Sequence, residues 1–268
     1  MRAVCAVLTR PRGQNATLAA LLQARGCSTV DLPALTIEPL VFDPPDLAAF
    51  DLVMFVSGNA VRSFLDRCAD VADWRWPEGV AAAVVGAGSA RALRAHPVFP
   101  ASVPILKPDD QSNADSEALW DVLRDHPALR RILIVRGGGE GEGRGRNWLG
   151  SQLEQDGRRV VRLGAYERGA RAWTEADLQQ LKTCMRAAKS AVWLFSSRES
   201  VDAIFAQLKQ NGLHFWLSSC HLIVTHPRIR DHLVDLMVRD STVNAASLLL
   251  QVCKPDDQSI VDAIESLL

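Results

Sequence analysis

The chain has 268 residues, with 30 Lys and Arg against 31 Asp and Glu, 48% hydrophobic residues and 6% aromatic ones. That composition excludes a disordered, collagen-like or coiled-coil chain and predicts about two globular domains, each able to bury its own core. A formal net charge of -1 argues against a broad basic face for nucleic acid or anionic lipid. In chain order, Ala3 to Leu8 reads as a strand, and Gln14 to Arg25 as a helix with Leu18, Leu21 and Leu22 on one face, stopped by Gly26. Further strands are expected at Thr29 to Leu32, Leu52 to Val56, Val80 to Val85, Arg131 to Val135, Arg159 to Leu163, Ala191 to Phe195, His221 to Thr225 and Leu249 to Cys253. A helical pattern follows most of them, which implies α/β architecture with parallel sheets covered on both faces.

No window approaches the roughly 20 apolar residues of a membrane span. The apolar opening is six residues long and meets Arg10, Pro11 and Arg12 at once, too short for a signal peptide core. The six cysteines (Cys5, Cys27, Cys68, Cys184, Cys220, Cys253) have no CxxC or Cys-to-His ligand spacing, and most lie in apolar runs. They are expected as buried thiols in a reducing, cytoplasmic compartment. His214, His221, His226 and His232 form no recognisable ligand set, so no metal is expected.

An internal repeat organises the chain. The hexapeptide Lys107-Pro108-Asp109-Asp110-Gln111-Ser112 recurs as Lys254-Pro255-Asp256-Asp257-Gln258-Ser259. Upstream, Phe55-Val56-Ser57-Gly58-Asn59-Ala60-Val61 matches Phe195-Ser196-Ser197-Arg198-Glu199-Ser200-Val201, and Val85-Gly86-Ala87-Gly88-Ser89 matches Val224-Thr225-His226-Pro227-Arg228. A weaker match pairs Leu8-Thr9-Arg10 through Gly26 to Leu32 with Ile134-Val135-Arg136 through Gly157 to Leu163. The order is A, B, A′, B′, with Pro33 to Pro45 and Gly164 to Arg171 as the linkers.

Taken with Leu32-Pro33-Ala34-Leu35, Gly145-Arg146-Asn147-Trp148-Leu149 and Ala165-Tyr166-Glu167-Arg168, these segments resemble, in order and spacing, the uroporphyrinogen-III synthase family. The resemblance runs from residue 4 to the C-terminus and implies two flavodoxin-like three-layer domains joined by a two-stranded linker. The first would be discontinuous, 1–36 plus 168–268, the second 39–165, with linkers at about 36–41 and 164–168, so that A pairs with B′ and A′ with B. The implied reaction closes hydroxymethylbilane, a linear tetrapyrrole with eight carboxylates, to uroporphyrinogen III with loss of water and inversion of ring D. No cofactor is implied. Such a reaction is chiefly a problem of entropy and orientation, because the unaided substrate closes to the I isomer, and a cleft between hinged domains suits it.

Ligands of open parallel sheets sit beyond the carboxyl ends of strands, where helix N-termini present free N–H groups. Arg10, Ser57, Asn59, Ser89, Arg136, Gly137, Arg146, Ser196, Ser197, Arg198 and Thr225 are therefore the candidates for contacting acetate and propionate groups. Each has a plainer alternative. Ser196 with Glu199 has capping-box spacing, Ser57 or Asn59 could cap a helix, and Arg10 before Pro11 could be a solvated helix start.

Tyr166 is the only tyrosine, and the resemblance gives its phenol a place facing the cleft as proton donor to the departing hydroxyl. A phenol is a weak acid at neutral pH, so its effect is expected to be modest; the alternative is a linker tyrosine packing between domains. Between Arg136 and Arg146 the glycine-rich run is longer than the family's turn, which leaves Arg144 and Arg146 as rivals, with Trp148-Leu149 favouring Arg146.

Two other readings compete. Gly86-x-Gly88 after a strand suggests a nucleotide site, but position 91 is Arg91 and GxGxxG is incomplete. The other is a two-domain ligand-binding protein without turnover. The expected partner is a small-molecule substrate, with no nucleic acid and no membrane, the protein acting as a monomer; transient contact with the enzyme that makes hydroxymethylbilane is left open.

Overall fold

Of the chain, this computed structural model describes residues 4–109, 115–138, 144–187, 190–240 and 248–267, and for 144–147, 187 and 190 the backbone alone. The chain begins with β1 (Val4–Leu8), α1 (Ala16–Gln23), β2 (Ser28–Asp31) and β3 (Leu35–Pro39). It continues through β4 (Leu52–Phe55), α2 (Gly58–Ala69), β5 (Ala81–Val84), α3 (Ala87–Ala95), β6 (Ile105–Leu106) and α4 (Ser116–Arg124). Next come β7 (Arg131–Gly137), α5 (Arg144–Gln155), β8 (Arg159–Ala170), α6 (Glu175–Ala187), β9 (Ser190–Phe195) and α7 (Arg198–Gln210). The last elements are β10 (His221–Val224), α8 (Pro227–Arg239), β11 (Leu249–Val252) and α9 (Asp257–Glu265).

Two compact units result, Met1–Thr36 with Gly169–Leu268, and Ile37–Arg168. In the first, the strand order is β11-β10-β9-β1-β2, which in chain order is the flavodoxin-like 2-1-3-4-5. The second has β3-β8-β7-β4-β5-β6. With β7 and β8 taken first, its last five strands have that same order, and β3 is an added edge. The A, B, A′, B′ repeat explains this: each unit combines an opening βαβ piece with the longer piece from the other half of the chain. Neighbouring strands of known register run parallel in both sheets.

Strand alternation divides each core into two layers. In the first unit Val4, Ala6, Leu8, Val192 and Leu194 pack with Leu18 and Leu22 of α1 and Ile260, Val261 and Ile264 of α9. Cys5, Val7, Trp193 and Phe195 face the other way, onto Leu181 of α6, Val201 and Ile204 of α7 and Leu233 of α8. In the second unit Leu52, Met54, Ile132 and Ile134 pack on Leu119, Leu123, Leu149 and Leu153 of α4 and α5. Val53, Phe55, Leu133 and Val135 pack on Val61, Phe64 and Leu93 of α2 and α3. Gly26 and Gly157, matched by the repeat, both end helices with φ near +79°, a conformation that disfavours any side chain.

β3 and β6, and the extension of β8 to Ala170, lie where the period-2 signal predicts no strand. Cys5 and Cys184 are joined as a disulfide, with Cα atoms 6.2 Å apart, which corrects the expectation of six separate thiols. Cys27, Cys68 and Cys220 are buried free thiols, and burial pushes Cys68 and Cys220 up to about 12, which makes them poor nucleophiles.

The start of α6 makes a prediction. The Asp177 carboxylate accepts from the Thr174 N–H and hydroxyl, both at 2.7 Å, and from Arg171 Nη2 at 2.9 Å. Burial raises its pKa, but these hydrogen bonds and the Arg171 charge outweigh burial and hold it below the ordinary value. A depressed folded pKa stabilises the fold above the unfolded pKa of about 3.9, and that contribution fades as pH falls toward the folded value. Asp177→Asn is expected to cost about 1.5 kcal/mol at pH 7 and much less at pH 3. Urea unfolding at both pH values checks this, and a gap that stays constant on acidification overturns it.

Candidate active site

In a 2-1-3-4-5 sheet the strand order reverses beside the first strand, and the crevice there is the natural ligand position. In the second unit that place is the carboxyl end of β7 and β4, where Arg136 and Gly137 end one strand and Ser57 follows the other. Ser57 has extended backbone and caps α2, its Oγ accepting from the Ala60 N–H at 3.1 Å. Tyr166 comes from β8 next door. Between Arg136 and Gly137 the β7–β8 register slips: Arg136 pairs with Gly164, but Gly137 pairs with Tyr166. The bulge leaves Ala165 as the extra residue and puts both Ala165 and Tyr166 on the face of α2 and α3.

Tyr166 is fully buried in that layer, 0% exposed. Its Oη lies 3.0 Å from Ser57 Oγ and accepts from Arg168 Nη2 at 2.7 Å. The Arg168 guanidinium also lies 5.4 Å from the Tyr166 ring centroid. Behind the tyrosine the Gly138 N–H donates to its carbonyl at 2.6 Å. Gly164 allows this close fit, since a Cβ there would stand 3.1 Å from Gly138 Cα. One turn into α2, Arg62 donates to Asn59 Oδ1 at 2.7 Å. The arrangement is a buried phenol backed by a cation and tied to a partly exposed hydroxyl.

At the equivalent place in the first unit, the groups are used internally. Thr9 Oγ1 donates to the Leu194 carbonyl at 2.5 Å, tying β1 to β9. Arg10 reaches Asp257 Oδ1 at 2.5 Å and the Pro255 carbonyl at 2.9 Å, both in the second hexapeptide. That hexapeptide is a structural device: Asp256 caps α9 by accepting from the Ser259 N–H at 2.9 Å. Ser197, matched to Ser57 by the repeat, forms a complete capping box. Its Oγ accepts from the Ser200 N–H at 3.0 Å, while Ser200 Oγ accepts from the Ser197 N–H at 3.2 Å. The position matching Tyr166 is Leu35, three residues past Leu32 as Tyr166 is past Leu163. The phenol–hydroxyl pair thus belongs to the second unit alone.

Residues 16–247 match the family described as HEM4, uroporphyrinogen-III synthase HemD. The chain belongs to the uroporphyrinogen-III synthase family. It is thereby a cyclising lyase of tetrapyrrole biosynthesis acting on hydroxymethylbilane. Among solved structures, it resembles uroporphyrinogen-III synthetase from Helicobacter pylori at 14% identity and a TM-score of 0.63, covering 100% of both chains. It also resembles a mutant uroporphyrinogen III synthase from Thermus thermophilus at 17% identity and a TM-score of 0.52, covering 98% of both chains. At those identities the likeness speaks for the shared fold.

Within this synthase fold the sequence candidates separate into three groups. Ser57, Asn59, Arg136 and Gly137 stand at the carboxyl ends of β4 and β7, with Tyr166 inside β8 beside Gly137 and Ser89 in the first turn of α3 after β5. Arg10, Ser196, Ser197, Arg198 and Thr225 stand at the ends of β1, β9 and β10 in the other unit. Arg146 lies in the first turn of α5, but its side chain, and all of 139–143, fall outside the described residues.

Two expectations need correcting. The capping box is Ser197 with Ser200, one residue on from Ser196 with Glu199, because the extended residue before α7 is Ser197. Tyr166 is a core residue of the second unit rather than a linker tyrosine: its ring packs in the α2 and α3 layer under the Arg168 guanidinium, and its oxygen meets Ser57 and Arg168.

Arg168 and Asp257 were missed as partners. Arg168 had a readable signal, since i and i+2 share a strand face. The histidines have local uses: His226 Nδ1 caps α8 by accepting from the Arg228 N–H at 3.0 Å, and His232 pairs with Asp202 at 2.6 Å. Among the described residues no group of three His, Cys, Asp or Glu could hold a metal ion, and no helix is long and apolar enough to cross a membrane. Gly86 is the N-cap residue of α3.

Proposed function

We propose that proton delivery to the departing hydroxyl of hydroxymethylbilane centres on Tyr166, Ser57 and Arg168. The observation that carries this is a buried phenol bound to a partly exposed hydroxyl and a guanidinium at the strand-order reversal of the second unit. Loss of the hydroxyl leaves electron demand at carbon that the pyrrole satisfies, so a weak, positioned acid is sufficient.

Asn59, Ser89, Arg136, Gly137 and Arg146, with Ser196, Ser197, Arg198 and Thr225 of the first unit, are proposed holders of the acetate and propionate groups. Guanidinium forks and helix N-termini suit a substrate with so many carboxylates. Arg10 is the weakest of the set, because it would have to leave Asp257 to bind substrate. The two units are proposed as the enzyme's domains, acting without a cofactor in a monomer. A cytoplasmic setting is part of the same proposal, and the Cys5–Cys184 bridge is the observation that pulls against it.

The test is to add purified protein to freshly generated hydroxymethylbilane, oxidise the products and separate uroporphyrin isomers I and III. Mostly III isomer is expected; a product mixture equal to the protein-free blank would overturn the proposal.

A further inference from the structure

Which hydroxyl meets the substrate follows from counting protons. Tyr166 Oη carries one hydrogen and accepts from Arg168. Among the described residues its remaining hydrogen-bond neighbour is Ser57 Oγ at 3.0 Å, and the residue is 0% exposed, so water does not reach it. If Ser57 donated to Tyr166, the phenol proton would be buried without an acceptor, an arrangement native structures avoid. The satisfied arrangement has Tyr166 donating to Ser57. Ser57 Oγ then accepts twice, from Tyr166 and from the Ala60 N–H at 3.1 Å, and its own hydrogen is left to point outward. Ser57 is partly exposed.

From this geometry we infer that Ser57 is the group that touches the leaving hydroxyl, and that Tyr166 and Arg168 act through it as the inner end of a proton relay. The inference rests on the cyclase reading above. The step balances. The substrate C–O bond breaks with its electron pair on oxygen, which takes the Ser57 proton and departs as water, while the pyrrole nitrogen supplies electrons to the carbon. Ser57 Oγ takes the Tyr166 proton, and the resulting phenolate keeps its hydrogen bond from Arg168. Ring closure ends when a pyrrole carbon loses its proton, and that proton refills the relay by the same path.

The corresponding turn in the first unit lacks the inner end of such a relay. There Ser200 closes the capping box on Ser197, whereas position 60 is Ala60 and the place of Leu35 is taken by Tyr166. One copy of the repeat thus has a closed cap, and the other has a cap with a phenol behind it.

The test measures III-isomer formation by wild type, Ser57→Ala, Ser57→Thr, Tyr166→Phe, Arg168→Met and the Ser57→Ala/Tyr166→Phe pair, each shown folded by thermal unfolding. Ser57→Ala and Tyr166→Phe are each expected to lower kcat by about 100-fold with KM little changed. Because the two act in series, the double variant should match the worse single one within about twofold. Ser57→Thr keeps both cap and hydroxyl and should retain most of the rate. Arg168→Met should lower kcat without raising KM. In mixed H2O and D2O, the wild-type rate should bow as for more than one moving proton, and the Tyr166→Phe rate should fall on a straight line. Full activity in Ser57→Ala, or losses that multiply in the double variant, would overturn the relay while leaving the cyclase intact. A wild-type protein that forms no III isomer above the blank would overturn both.

Discussion

Trp193→Ala is expected to destabilise the first unit by about 4 kcal/mol, the cost of emptying a large buried aromatic site. Trp193 lies mid-strand in β9, paired with Val7 on one side and Leu222 on the other. It is 0% exposed, stacks on Phe195 at 6.1 Å and meets the edge of Trp216 at 5.8 Å. With strands on both flanks and helices over its face, the site has little freedom to collapse. Its indole N–H faces the Cys220 sulfur, a weak acceptor, so Trp193→Phe loses area and no more than a weak hydrogen bond, and should cost less than half as much. At about 2–4 °C per kcal/mol for a chain of this size, the alanine variant should melt roughly 10 °C below wild type. A drop smaller than that of the phenylalanine variant would show that the layer repacks.

The sheets were largely legible because β-rich runs such as Leu52 to Phe55 and Ala191 to Phe195 carry their own signal. The repeat then identified which pieces correspond. What stayed hidden has specific causes. Strict alternation from Leu163 places Ala165 on the α2 face and Tyr166 on the opposite one. The register slip at Gly137 reverses that for Tyr166, and no periodicity announces a bulge. Arg10 reads as a carboxylate-binding residue, yet the carboxylate it meets is Asp257, 247 positions away. Local patterns cannot show so distant a partner. β6 is two residues long, below any period, and β3 sits in a proline-bounded stretch that reads as linker. The capping box falls one residue later than the spacing implies because Ser196 and Ser197 differ only in which has extended backbone, and that is set by where β9 ends. Cys5 and Cys184 lie in two well-read elements, but their proximity depends on how α6 packs over β1.

Tyr166 should give opposite results with two substitutions, because its ring and its oxygen do different work. Tyr166→Ala removes a fully buried ring from the layer formed by Phe55, Phe64, Val135 and Ala165, and is expected to cost the second unit about 4 kcal/mol. The loss should appear as faster hydrogen exchange in β4 and β7 as well as a lower melting temperature. Tyr166→Phe keeps the ring in the same space. It removes one hydroxyl, whose partners are not stranded: Ser57 Oγ still accepts from the Ala60 N–H, and the partly exposed Arg168 can be hydrated. Its stability cost should be about 1 kcal/mol, while III-isomer turnover falls by about 100-fold. A phenylalanine variant with wild-type turnover would reduce Tyr166 to a core residue that happens to carry a hydroxyl. An alanine variant as stable as the phenylalanine one would mean that the bulge at Gly137 positions the oxygen without the ring's packing. The expected split, stability with the ring and rate with the oxygen, would show why a residue that carries a hydroxyl for chemistry is held so deeply: burial removes water as a competing partner and leaves the proton a single path, through Ser57.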